Sequence, residues 1–285
     1  MATALTLPGP GAARGLGSRA WLALYVPGAA LLALCFGYPL LNLLGLSLAT
    51  PGLGNYVQLW DSPVFGTVLL RTFTTSAVVC TVCLVLGYPY AYAMTVVSPR
   101  LRDLLLVIVL VPLWTSLMVR TFSWLVLLQD NGIVNAGLTG IGVGPLPLIR
   151  NSTGVTIGMA QVMLPFAVLP MYAIMQKIDR RLLQAAASCG ARPTAAFLRI
   201  YVPLSLPGVL VGLSLVFVLS LGFFITPQML GSPSNALLSQ LIYTQITQLG
   251  DGGTGAAMGF VLLLTTLLVL AAMVGLRRVA ARSAR

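Results

Sequence analysis

The 285-residue sequence contains no histidine and no glutamate, and charged residues make up only 7% of it. A soluble globular domain carries about 25% charged residues. The five acids are all aspartates: Asp61, Asp103, Asp130, Asp179 and Asp251. Proton-coupled transporters and membrane enzymes need ionisable groups inside the bilayer. Without histidine, glutamate or a metal-ligand cluster, a membrane-embedded enzyme or a stand-alone proton-driven carrier has little to work with. No G-x-x-x-x-G-K-[ST] phosphate loop occurs either, which excludes ATP hydrolysis by that route. Cysteine is sparse: Cys35, Cys80, Cys83 and Cys189. Cys80 and Cys83 form a C-x-x-C, a spacing that elsewhere serves redox chemistry or zinc. Here it lies inside an apolar run with no second ligand pair, so the bland expectation is two small side chains at helix contacts.

What the chain has in abundance is apolar sequence: 58% of residues, with a mean hydropathy of +0.97. A spanning helix needs about 20 apolar residues, and six runs qualify, at 21–48, 68–97, 104–128, 154–175, 209–229 and 256–276. Pro39, Gly87, Pro89, Pro112, Pro165 and Pro170 lie within them and predict kinks, which neighbouring helices make tolerable in lipid. Run length and the lack of period-2 alternation exclude a β-barrel. The expectation is an all-α integral membrane protein with six transmembrane helices. It has one six-helix domain over 21–276 and tails over 1–20 and 277–285. The 21–48 run is too long for a signal-peptide core and lacks a cleavage site, so it should stay attached.

The net charge of +11 does not point to nucleic acid, because the arginines sit at the ends of apolar runs. They act as topology signals. With the N-terminus in the cytoplasm, only Arg71, Arg120 and Arg150 of the 16 basic residues fall on the outer side. Both termini are therefore expected to be cytoplasmic.

One cytoplasmic loop stands apart, at 176–207, between the fourth and fifth spans. Leu182 to Ser188 is a strong helix former. Gly190 follows where a helix favours an end, and Pro193 suits the first turn of a new helix. Phe197, Ile200 and Tyr201 then recur at i, i+3, i+4 and make one apolar face. The loop is expected to be two short helices with a sharp bend. Spacing alone leaves two roles open: a helix pair packed under the bundle, or a docking element whose exposed Ala, Gly and Phe surface fits a partner's groove.

Within this loop Gln184-Ala185-Ala186, three residues, Gly190, nine residues and Ile200-Tyr201-Val202-Pro203 resemble the EAA loop of ABC importer permeases. Every spacing matches; Gln184 stands for the family's Glu, and Val202 for its Leu. The resemblance extends over residues 55–276, to permeases of the spermidine/putrescine type. It runs through Asn55-Tyr56, Leu70-Arg71-Thr72, Leu86-Gly87-Tyr88-Pro89, Val111 to Thr115, Val119 to Trp124, Asn131 to Asn135, and Phe223 to Pro227 with Leu230-Gly231. It implies an ATPase-coupling surface of Leu183, Gln184, Ala185, Ala186, Gly190, Ala191, Phe197 and Pro203. It also implies two ABC ATPase subunits that hold ATP and magnesium, a second permease subunit, an extracytoplasmic solute-binding protein, and residence in a bacterial inner membrane. This chain would bind no cofactor or metal itself. The group imports several kinds of small solute, polyamines among them.

For the solute path the third span is the candidate, being unusually polar and aromatic: Trp114, Thr115, Arg120, Phe122 and Trp124. Arg120 lies about 12 Å from the outer end at 1.5 Å per residue. It either faces the bundle interior or snorkels to the outer headgroups. Arg71 reads as an outer anchor or ion-pair partner. Asp130 and Asp251 flank the outer entrances, solvated or attracting a cation. Tyr88 and Tyr92 share a helix face and either pack on a neighbour or line the path. A polyamine would want carboxylates or aromatic cages. No aspartate lies deep in a span, so an anionic solute near Arg120 is the counter-proposal.

Overall fold

The computed structural model describes residues 26–49 and 51–283, with side chains to residue 272. The tail expected over 1–20 lies outside the described residues. In chain order the helices are α1 (Val26–Ser47), α2 (Gly54–Asp61), α3 (Pro63–Val96), α4 (Pro99–Trp114), α5 (Leu117–Leu127) and α6 (Ile133–Gly140). They continue with α7 (Ser152–Met175), α8 (Arg181–Ser188), α9 (Pro193–Leu221), α10 (Ile225–Leu230), α11 (Leu238–Thr247) and α12 (Gly252–Ser283). The last helix thus runs on through most of the tail expected at 277–285.

The ends of these helices follow local chemistry. Pro63, Pro99 and Pro193 open α3, α4 and α9, where a missing N–H costs nothing. The Asn151 side chain caps α7 by accepting the Gly154 N–H at 2.9 Å. Asp251 does the same for α12, accepting the Thr254 N–H at 3.0 Å, while its other oxygen accepts from Gln245. These hydrogen bonds hold the Asp251 carboxyl below its ordinary range. That carboxylate is a helix cap, not a free cation lure.

α3, α7 and α9 form the main core, around Val79, Cys83, Met159, Met163, Ala167 and Val216, all fully buried. Cys80 and Cys83 point at different neighbours: the first donates to the Leu213 carbonyl on α9, the second to the Ala160 carbonyl on α7. They act as small packing residues. A second cluster joins α2, the start of α3, α11 and α12 through Leu59, Phe65, Leu238 and Ala257. α1 packs on α12 and leaves Leu31, Leu34 and Phe36 exposed.

Among the described residues, five single helices are long and apolar enough to cross a membrane. The third expected span is not one helix. Its two halves, α4 and α5, meet at an angle of 100° across Thr115 and Ser116. Pro112 lies one turn before the break, and Thr115 is extended. The bent pair makes a sixth candidate crossing when its halves count as one span. The chain's contacts agree with six traverses. At one end Arg150 N–H bonds to Leu230, Leu238 N–H to Thr72, and the Asn55 amide to Ser47. At the other, the Arg180 guanidinium donates to the Thr95 carbonyl.

A second departure concerns the fifth span, expected at 209–229. The helix begins sixteen residues earlier, at Pro193, and ends at Leu221. The second short helix expected in the loop is therefore not separate. It is the leading turns of α9, joined through a π-helical stretch at Phe197–Tyr201.

Candidate coupling loop and solute path

α8 hangs between the end of α7 and the start of α9. Asp179 starts it by accepting the Arg181 N–H at 2.9 Å. It ends in a Schellman turn: Gly190 N–H bonds to Ala187 O at 2.9 Å and Ala191 N–H to Ala186 O at 3.0 Å. That turn needs a left-handed residue, and Gly190 has φ +82°. Arg192 then takes extended backbone and Pro193 starts α9.

No residue of α8 is fully buried. Leu183 and Ala186 are half-buried and turned toward the bundle, while Leu182, Gln184, Ala185 and Ser188 are exposed. Gly190 has open space around it, and Ala191 is half-buried. Pro203 is exposed in the first turn after the π stretch.

Phe197 takes part in packing within the chain. Spacing leaves it either packed under the bundle or exposed for docking; half-buried, it stacks on Tyr201 at 5.3 Å and meets Tyr92 edge-on at 5.2 Å. Tyr92 also meets Tyr201 at 5.1 Å. The apolar face at i, i+3, i+4 is present, but it clamps α9 to α3 within this chain. Tyr88 joins the same seam: its hydroxyl lies 2.9 Å from that of Ser205. Tyr90, on the other side of α3, donates to the Leu105 carbonyl of α4 at 2.8 Å. Tyr88 thus packs between α3 and α9, the first of the two roles left open for it.

The remaining path candidates do not form one wall. Trp114 is 80% exposed and Phe122 57%, and Thr115 is exposed at the break. Trp124 turns inward, where its indole N–H reaches Gln161 of α7 at 3.4 Å. Arg120 bridges the break: its Nη2 donates to the Thr115 carbonyl at 3.0 Å, capping the end of α4 as a cation favours. Its Nε and Nη1 are buried without a partner.

Sequence reasoning missed three features. Thr121 and Thr226 bring their hydroxyls to 3.1 Å and pin α5 to α10. Gln161 holds Trp124. A cavity of about 410 Å3 lies between α10 and α11, where Gln228, Ser232, Gln240, Thr244 and Gln248 line it beside Pro233, Ala236 and Leu241. The i, i+4, i+8 spacing of Gln240, Thr244 and Gln248 is a legible stripe; the segment was taken whole as an outer loop.

Comparison with known proteins agrees with this geometry. Residues 83–283 match the family described as binding-protein-dependent transport system inner membrane component. The spermidine/putrescine transport system permease protein PotB of Escherichia coli (strain K12) is 34% identical over 207 residues, 72% of this chain and 75% of that protein. PotB of Haemophilus influenzae is 32% identical over 218 residues, 75% of this chain and 76% of its own. The inner membrane ABC transporter permease protein YdcU of Escherichia coli is 31% identical, over 72% of this chain and 69% of its own. Among solved structures, a chain of the bacterial alginate ABC transporter in complex with an alginate pentasaccharide-bound periplasmic protein superposes with a TM-score of 0.70. It is 20% identical and covers 90% of this chain and 93% of its own, a likeness of fold.

Proposed function

The chain belongs to the binding-protein-dependent transport system inner membrane component family as a permease subunit of an ABC importer, and from that premise we propose that it imports a polyamine or a related small solute. It is a multi-pass inner-membrane subunit without an ATPase domain. In the proposed assembly both its termini and α8 face the cytoplasm. Two ATPase subunits hold ATP and magnesium and dock on α8. A second permease completes the pore, and an extracytoplasmic binding protein delivers solute. The observation that carries the coupling role is that α8 stands outside the core with Gln184 and Ala185 exposed. A carrier working alone would have no use for such an element.

The spermidine/putrescine permeases among its relatives support the polyamine reading. So does the amide- and hydroxyl-lined cavity between α10 and α11. Its oxygens can accept hydrogen bonds from ammonium groups without a buried carboxylate. Stimulation of ATP hydrolysis in the reconstituted complex, with solutes offered through the cognate binding protein, tests this. Spermidine or putrescine should stimulate; stimulation by organic anions alone would discard the polyamine.

A specific observation favours a second reading, an anionic solute: the two orphaned donors of Arg120. An unpaired buried charged donor costs about 1–3 kcal/mol or more, and a carboxylate or phosphate in the path would remove that cost. Arg120→Ala is then expected to lower uptake about tenfold or more, with assembly intact. Full transport by that variant, at wild-type amounts of assembled complex, would take Arg120 off the path.

A further inference from the structure

Where the coupling loop leaves the bundle, the ends of α3 and α7 and the starts of α4 and α9 enclose a cavity of about 210 Å3. Its polar lining is Thr95, Arg102, Tyr172, Gln176, Arg180 and Tyr201, with no carboxylate among the described residues. Asp103 is engaged at the exposed side, 3.3 Å from Arg102 Nε, and Asp179 is spent on the first turn of α8. Arg180 spends one donor on the Thr95 carbonyl. Each guanidinium has five N–H donors, so both retain several. Two cations lining one small cavity repel unless an anion lies between them. The Tyr201 hydroxyl, 3.5 Å from that of Thr95, and the Gln176 amide add neutral donors. Nothing in the coupling role uses this arrangement.

We propose that this cavity binds a phosphate-bearing anion, the headgroup of an anionic phospholipid, which bridges the first turn of α4 to the root of α8. Phosphate oxygens match the forked donors of two guanidiniums. Basic pockets between spanning helices at the cytoplasmic face take such headgroups. The turn that bears Arg102 also exposes Leu101 and Leu104, a surface for acyl chains that free phosphate would not need. The bound headgroup fixes the loop's root to the bundle. The site rests on the membrane orientation proposed above, but its test does not depend on transport.

The full-length chain in detergent is titrated with phosphatidylglycerol, phosphatidylcholine or inorganic phosphate, and bound molecules are counted by native mass spectrometry. Phosphatidylglycerol should be retained over phosphatidylcholine. Arg102→Gln and Arg180→Gln should each lower that retention about tenfold. Arg192→Gln and Arg199→Gln, outside the cavity, should not. Arginine-dependent binding of inorganic phosphate without a phosphatidylglycerol preference would keep the anion site and change its source to free phosphate. Unchanged phosphatidylglycerol retention in both cavity variants would overturn the site. Should those variants aggregate, hydrogen exchange on the unaltered chain decides. Phosphatidylglycerol, not phosphatidylcholine, should protect the amides of 95–102 and 176–181, and equal exchange in both lipids overturns the proposal.

Discussion

Ala185→Asp is expected to uncouple ATP hydrolysis from uptake while leaving the permease folded. Ala185 is exposed on α8, on the side away from half-buried Leu183 and Ala186. Within this chain the new carboxylate therefore meets water. In the proposed complex it meets the ATPase groove, where a desolvated unpaired charge costs on the order of 3 kcal/mol, roughly a hundredfold in affinity. Co-purification of the ATPase and solute-stimulated hydrolysis should both fall, while the melting temperature of the isolated permease stays unchanged. Gly190→Ala separates the backbone from the surface. With φ +82° and open space around it, the substituted residue meets no clash but must adopt the left-handed conformation, at about 1–2 kcal/mol. It should weaken the Schellman turn and reduce coupling less than Ala185→Asp. Gly190→Asp combines strain with charge and cannot distinguish the two. Wild-type ATPase binding by Ala185→Asp would remove α8 from the interface.

The number of crossings was legible because lipid demands long apolar runs and little else in a sequence supplies them. Direction was not legible. Between 104 and 128 the hydropathy stays high across Thr115 and Ser116, so a window average passes through a 100° break without registering it. Pro112 announces a kink, but a missing hydrogen bond fixes no angle. The start of the fifth span was hidden for a related reason. Arg192, Arg199 and Pro203 lower the hydropathy and suggest a loop, whereas the backbone passes through them in one helix by inserting a π turn. Helical periodicity found the face made by Phe197 and Tyr201 but not its partner. Tyr92, on α3, becomes a neighbour only after the bundle closes. The same limit applies to Tyr88 and Ser205. The turn at Gly190 and the helix start at Pro193, by contrast, were legible. Both residues are set by local backbone conformation, the kind of requirement a linear sequence records directly.

Gly212→Val is expected to remove most of the folded permease from the membrane. α7 and α9 make the most extensive helix contact in the bundle, together with α3 against α7, and at Gly212 the backbones nearly touch. A Cβ added there would lie 2.7 Å from the Ala167 carbonyl oxygen and 3.3 Å from its Cα. Ordinary carbon contacts need about 3.5 Å or more. The obstacle is backbone, and Ala167 and Val168 are fully buried, so α7 has no room to retreat. Small residues at such crossings are what let helices approach in lipid, where apolar burial between them gives no advantage. Overpacking alone costs about 1–3 kcal/mol, and two helices forced apart lose contacts along their length as well. Gly212→Val should therefore yield little monodisperse protein after detergent extraction, with Gly212→Ala intermediate. Gly66→Ala, at a helical glycine with nothing within reach, should be neutral or stabilise by up to about 1 kcal/mol. In the chain α8 is joined to α7 through 176–180 and to α9 through 189–192. In the proposed assembly their tight crossing would make a movement of α8 a movement of the α7–α9 pair. Gly212→Ala, if it folds, should on that account lose solute-stimulated ATP hydrolysis more steeply than it loses thermal stability. Equal losses of both would make Gly212 a packing residue only.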